Sequence, residues 1–159
     1  MDPTKLLKKQ HREVESLFKR IDKTDDPDDR RELMQEIARN LELHMKIEEE
    51  IFYPAVKELG SRKAEALVME SYEEHGVVKL VMRELPEVDP SDERFEAKMT
   101  VFQELIEHHV EEEEKEMFKL AQKLPEEELD ELGERMLAEV EATKPEAAQP
   151  GGKPRRRAA

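Results

Sequence analysis

LELHMKIEEEIFYPAVKEL, residues 41–59, and FQELIEHHVEEEEKEMFKLAQKL, residues 102–124, decide the fold. Each carries an apolar stripe at helical spacing: Leu41, Ile51, Phe52, Ala55 and Leu59 in the first, and Phe102, Leu105, Ile106, Met117, Leu120 and Leu124 in the second. In each, a histidine and a glutamate one turn later stand where the stripe calls for hydrophobes: His44 with Glu48, and His109 with Glu113. Working outward, Leu33 and Ile37 extend the first stripe backwards. An N-terminal stripe of Leu7, Val14, Phe18 and Ile21 is interrupted by His11, and a central one of Ala64, Leu67, Val68, Val78, Met82 and Leu85 by His75. A stripe covers roughly 100° of a helix, so one histidine lands in it by chance about 30% of the time and four on the order of 1%. Four imidazoles and two carboxylates inside a core need something positive between them.

Proline and capping residues set the boundaries. Asp2-Pro3-Thr4 opens a helix to about Lys23, and Asp25-Asp26-Pro27 opens a second that runs to Gly60 as its C-cap. Ser61 caps a third helix, which Pro86 ends; Asp89-Pro90-Ser91 opens a fourth reaching Leu124; Pro125 begins a short fifth, PEEELDELGERMLAEVEA. Pro54 lies inside the second helix and should kink it or disturb one turn. Short connections between long amphipathic helices predict an all-α, up-down-up-down antiparallel four-helix bundle over residues 1–142. Residues 143–159, with Pro, Gly and the Arg155-Arg156-Arg157 cluster, read as a disordered, solubilising tail.

The histidines of the first three helices fall at matching heights. His109 lies too far along a fourth helix starting at Pro90, by roughly 13 Å, and a start near Arg94 would halve that. The two halves echo each other. His11 and His44 are 33 residues apart and His75 and His109 are 34 apart, and each HxxxE is followed by an apolar pair, Ile51-Phe52 or Met117-Phe118.

Composition narrows the chemistry. Among 159 residues, 43% are charged and 4% aromatic, which favours helix over sheet. The formal net charge of −14 disfavours nucleic acid and anionic membrane as partners. No cysteine is present, which removes disulfides, thiolate zinc sites, iron–sulfur clusters and cysteine nucleophiles. No apolar run suits a membrane span, and MDPTKLLKKQHREVE has no signal-peptide apolar core, so a soluble, cytoplasmic chain is expected. No GxGxxG, P-loop or GxSxG occurs. Imidazoles with carboxylates and no thiolate suit iron, manganese or zinc, and three or more histidines disfavour magnesium and calcium. Two glutamates that can each bridge allow two metals about 3.5–4 Å apart.

The ordered set of His11-Arg12-Glu13-Val14-Glu15, His44 through Pro54, Glu74-His75 and His108-His109 through Glu114 resembles the hemerythrin HHE cation-binding family over about residues 1–124. The resemblance implies a bundle around two non-haem irons, oxo- or hydroxo-bridged, with His11, His44, His75 and His109 as ligands and Glu48 and Glu113 bridging. It also implies a small diatomic or peroxide ligand, with the chain binding, sensing or detoxifying dioxygen, peroxide or nitric oxide. Oxygen carriers have another histidine one turn before the third-helix ligand; here Ser71 stands there, leaving water, a carboxylate or an open position. Their His-to-carboxylate spacing would pair His109 with Glu114 or His108 with Glu113, whereas the helical wheel favours His109 with Glu113 and puts His108 at the rim. Rival readings are a peroxide-decomposing di-iron oxidoreductase, an iron-buffering or structural metal domain, and a metal-free interaction bundle. The last would leave Glu48 and Glu113 buried without partners. Glu49, Glu50, Glu111, Glu112 and Glu116 read as solvated surface, Tyr53 and Tyr72 as packing residues, and the eight methionines as core filling.

Overall fold

The computed structural model describes residues 1–143; Thr143, expected to open the tail, instead ends the last helix, and the rest of the expected tail, including Arg155-Arg156-Arg157, lies outside the described residues. Every regular element among the described residues is helical. Helix α1 spans Pro3–Lys23, α2 Pro27–Ile47, α3 Tyr53–Lys57, α4 Arg62–Glu84, α5 Glu93–Glu112, α6 Phe118–Ala121 and α7 Glu126–Thr143. A π-helical turn, Glu48–Phe52, joins α2 to α3, and a second, Glu113–Met117, joins α5 to α6. The described residues therefore form five helical arms. The first packs on the second and the third on the fourth, while α7 lies over α1 and α2. None of these helices is long and apolar enough to cross a membrane.

The caps explain the starts. Asp2 accepts from the Thr4 amide, Asp26 from those of Asp28 and Asp29, and Ser61 from that of Ala64, each satisfying amides that have no partner in the first turn. Gly60 closes the second arm at φ +76°, a conformation disfavoured for residues with a Cβ. The fourth arm departs from expectation. Asp89 spends its carboxylate on the amide and hydroxyl of Ser91, so Asp92 becomes the N-cap and α5 starts at Glu93 rather than at Pro90 or Ser91. A 3₁₀ turn, Leu85–Glu87, lengthens the preceding arm. Together these reduce the height mismatch of His75 and His109 to about 5 Å, within one turn.

The second arm is not one α-helix to Gly60. Pro54 has no amide to donate, and the ladder is re-phased before it: the Tyr53 amide bonds back five residues to the Glu48 carbonyl. The Phe118 amide does the same to Glu113 without a proline nearby. Both π turns thus begin at the glutamate of an HxxxE pair. This corrects the internal echo by one residue: Phe52-Tyr53 corresponds to Met117-Phe118.

The buried hydrophobes form two clusters. One gathers Leu7, Ile47, Phe52, Val56, Val68, Met117 and Phe118 and is closed by Leu129, Leu132 and Met136 of α7. The other gathers Val14, Phe18, Ile37, Met45, Val78, Phe95, Phe102 and Ile106. Leu59 and Leu105 are only partly buried. Helix α7 comes so near the N-terminus that a Cβ on Gly133 would meet the Met1 carbonyl oxygen at 1.6 Å. Between the two clusters lies a buried polar layer built from His11, His44, Glu48, His75, His109 and Glu113.

Candidate metal centre

The structure brings all six sequence-selected residues into that layer. His11 and His44 pair with Nε2 atoms 3.2 Å apart, and His75 and His109 form an equivalent pair, also at 3.2 Å. Both carboxylates span the two pairs. Glu113 places Oε1 3.2 Å from His11 Nε2 and Oε2 3.3 Å from His109 Nε2. Glu48 Oε1 lies 3.1 Å from His44 Nε2 and 3.3 Å from His75 Nε2. Atoms of His11, His44, Glu48 and Glu113 lie mutually within 4.8 Å, as do those of Glu48, His75 and His109.

The outer edge of each ring faces an oxygen. The Nδ1–H of His11 donates to Glu114 at 2.9 Å, that of His44 to Gln10 at 2.7 Å, that of His75 to Glu49 at 3.0 Å and that of His109 to Glu74 at 2.9 Å. Arg12 holds Glu114 in place, and Lys79 holds Glu49. Such outer bonds fix the tautomer and turn the Nε2 lone pairs inward. A neutral ring then has no hydrogen to give the interior. Glu48 Oε1 and Oε2 and Glu113 Oε1, all buried, accordingly lack a hydrogen-bond partner. Acceptors face acceptors across the layer, an arrangement that a cation would satisfy.

Without a metal, protons take that role. Burial pulls the His109 and His11 pKa values down, but hydrogen bonds to Glu113 and its charge outweigh burial, holding His11 above and His109 well above the ordinary value of 6.5. Burial works against ionised Glu113 too, and His109 with His11 overcomes it, holding Glu113 well below its ordinary 4.5. Glu74 is lowered, first by the hydrogen bond from His109.

The geometry separates the alternatives on α5 and its π turn. Glu113 points inward, while Glu114 points outward to His11 and Arg12. The His108 side chain is 70% exposed and faces Glu74 and Glu112 at the rim. Glu50 and Glu111 are exposed as expected. Glu49 is not a solvated surface residue: it is half-buried between His75 and Lys79.

Tyr53 is the residue that sequence reasoning missed. It is not simply a packing residue. Its ring is fully buried, and its hydroxyl donates to Glu113 Oε2 at 2.6 Å while lying 3.2 Å from His75 Nε2 and 3.3 Å from His109 Nε2. Ser71 stands close to this hydroxyl, on the side where the sequence leaves a place open, and works against burial on its pKa. Burial raises the Tyr53 pKa well above 10, and the charges of Glu113 and Glu48 add to this. In a regular helix, a residue five beyond Glu48 is rotated about 140° away. The π turn brings position five back onto the line of the glutamate. The proline next to Tyr53 was the available signal. Its counterpart Phe118 stacks flat on His11, centroids 5.9 Å apart, so one histidine pair has a phenol beside it and the other a plain benzene ring. Tyr72 donates to the Glu49 carbonyl and packs edge-on against Tyr53.

Comparison with known proteins agrees with this architecture. A crystal structure from Mycobacterium kansasii, a hemerythrin HHE cation binding domain-containing protein described as an Rv2633c homolog, superimposes with a TM-score of 0.78. It shares 27% identity, with 89% of this chain and 86% of that one covered. The uncharacterized protein Rv2633c of Mycobacterium tuberculosis is 25% identical over 144 residues, 89% of this chain and 86% of its own. A DNA nickase of Nostoc sp. is 26% identical over 113 residues, 71% of this chain, but the chain spans only 31% of that relative's length. The model of the hemerythrin HHE cation binding domain matches residues 2–121, three-quarters of the sequence and every residue of the polar layer. The chain belongs to the hemerythrin HHE cation-binding domain family.

Proposed function

We propose that this chain holds two non-haem iron ions in the polar layer of an up-down-up-down bundle and uses them to bind, sense or detoxify dioxygen, peroxide or nitric oxide. His11 and His44 would hold one ion and His75 and His109 the other, with Glu48 and Glu113 shared between them and the Tyr53 oxygen completing the second side. The carrying observation is that four Nε2 atoms and two carboxylates converge with their hydrogens turned away, leaving three buried oxygens without a donor. Iron so bound would supply a redox-active site for a small ligand. The chain's own part is positional: Glu114, Gln10, Glu49 and Glu74 hold the rings, and the two apolar clusters exclude water. Tyr53 places a proton at its hydroxyl oxygen, between Glu113 and the second histidine pair.

Elemental analysis after anaerobic iron loading is expected to approach two irons per chain. A value near zero in folded protein would sink the proposal. His44→Ala should lose most of this iron, because Nε2 of His44 faces both His11 and Glu48 in the interior. His108→Ala should retain it, since that ring stands at the rim. Equal losses would mean that the fourth arm presents different groups inward.

Tyr53→Phe tests the second side. Ferric phenolate absorbs in the visible, so the di-ferric wild type should show a band that the variant lacks, with iron content held at wild-type level. An unchanged spectrum would exclude the Tyr53 oxygen from the iron.

A further inference from the structure

Beside the polar layer, on the side of α1 and α5, the core is not closed. Val14, Phe18, Met45, Val78 and Ile106 surround a cavity of about 310 Å³ whose floor is the four histidines. These five wall residues are themselves buried, so the space reaches into the core from its opening between α1 and α5. Protein interiors normally leave few voids larger than a water molecule. Its outer rim is polar, with Glu15 and Lys19 of α1 facing Gln103 and Glu107 of α5. The opening follows from the packing, in which α1 lies chiefly on α2 and α5 on α4.

Size and lining define the guest. A water molecule's share of liquid volume is about 30 Å³, and a dioxygen or nitric oxide molecule is of that order, so either would fill only about a tenth of the space. Benzene occupies an apolar cavity of about 150 Å³, which scales to roughly ten to twelve non-hydrogen atoms here. A volume near 300 Å³ also marks the lower end of small-molecule pockets. Walls of Val, Phe, Met and Ile give ordered water nothing to bond between rim and floor, whereas the floor is formed by the four histidine rings. We propose that the cavity binds a compact apolar organic molecule of about ten non-hydrogen atoms, with one hydroxyl or hydroperoxy head turned toward the histidines. This deepens the small-ligand reading and rests on it only for what the head group meets.

Cumyl alcohol, with its one hydroxyl on a phenylpropyl body, is the probe. Ligand-observed saturation-transfer NMR on the full chain, both iron-loaded and metal-free, is expected to show saturable binding. Val78→Phe and, independently, Ile106→Phe fill the cavity from two different helices and should abolish the signal, while iron content and melting temperature stay near wild type. Absence of saturable transfer in the wild type, or transfer unchanged in both filled variants, would overturn the proposal. Two irons per chain without alcohol binding would remove the cavity's role and leave the metal reading standing. Alcohol binding without iron would do the reverse.

Discussion

Iron loading is expected to raise the melting temperature of this protein by roughly 8–16 °C at neutral pH. Metal bound only to the folded state at a thousandfold excess over its Kd adds about 4 kcal/mol, and each kcal/mol moves Tm by about 2–4 °C in a domain of this size. The two forms should also respond to pH with opposite signs. In the metal-free protein, His11 and His109 titrate above their ordinary 6.5, so their stabilisation is fully present below 6.5 and is lost as pH rises through the raised values. Glu113 titrates below its ordinary 4.5, so its contribution is present above 4.5 and disappears as pH falls through the lowered value. Metal-free stability should therefore be highest between 4.5 and 6.5 and decline above 6.5 as pH rises through the raised histidine values. Iron needs neutral imidazoles, so its added stability grows over that same rise. Thermal melts of both forms across the range provide the check. Parallel pH profiles would show that protons and metal do not compete for the same nitrogens.

Glu48→Gln should separate folding from metal binding. Glu48 is fully buried and neither of its oxygens has a hydrogen-bond donor. An amide has nearly the same shape but brings two N–H donors to within about 3 Å of the His44 and His75 Nε2 lone pairs, going by the 3.1 and 3.3 Å contacts of the carboxylate. The metal-free variant is expected to gain about 1–3 kcal/mol in a denaturant titration. The shared position loses its charge, so iron content should drop to about one per chain or none. A destabilised metal-free variant would mean that the carboxylate is already satisfied in the folded protein. Unchanged iron content would remove Glu48 from the ligand set.

Much of the polar layer was legible because it obeys a local rule. His11, His44, His75 and His109 each interrupt an apolar stripe, and Glu48 and Glu113 follow at i+4, so backbone periodicity alone puts them on the buried side. The caps at Asp2, Asp26 and Ser61 were legible for the same reason, since each bond closes within three residues. The start of α5 was not: Asp89 and Asp92 both qualify as caps, and only Asp89's turn with Ser91 settles the choice. Glu49 read as a solvated residue, Glu114 as an alternative to Glu113, and Glu74 had no assigned role, because which edge of a stripe meets a neighbouring ring depends on another helix.

The sequence by itself therefore determined the helical class, the layer of four histidines and two glutamates, and the family those motifs mark, because helical phase is set by residues a turn apart. Tertiary structure decided which atoms meet. It turned Glu113 inward and Glu114 outward, placed the Tyr53 hydroxyl beside Ser71, set a phenol by one histidine pair and Phe118 by the other, and left a cavity between α1 and α5. These depend on the two π turns, which shift helical phase by one residue, and on the relative heights of helices far apart in the chain. Neither is written in a 3.6-residue repeat.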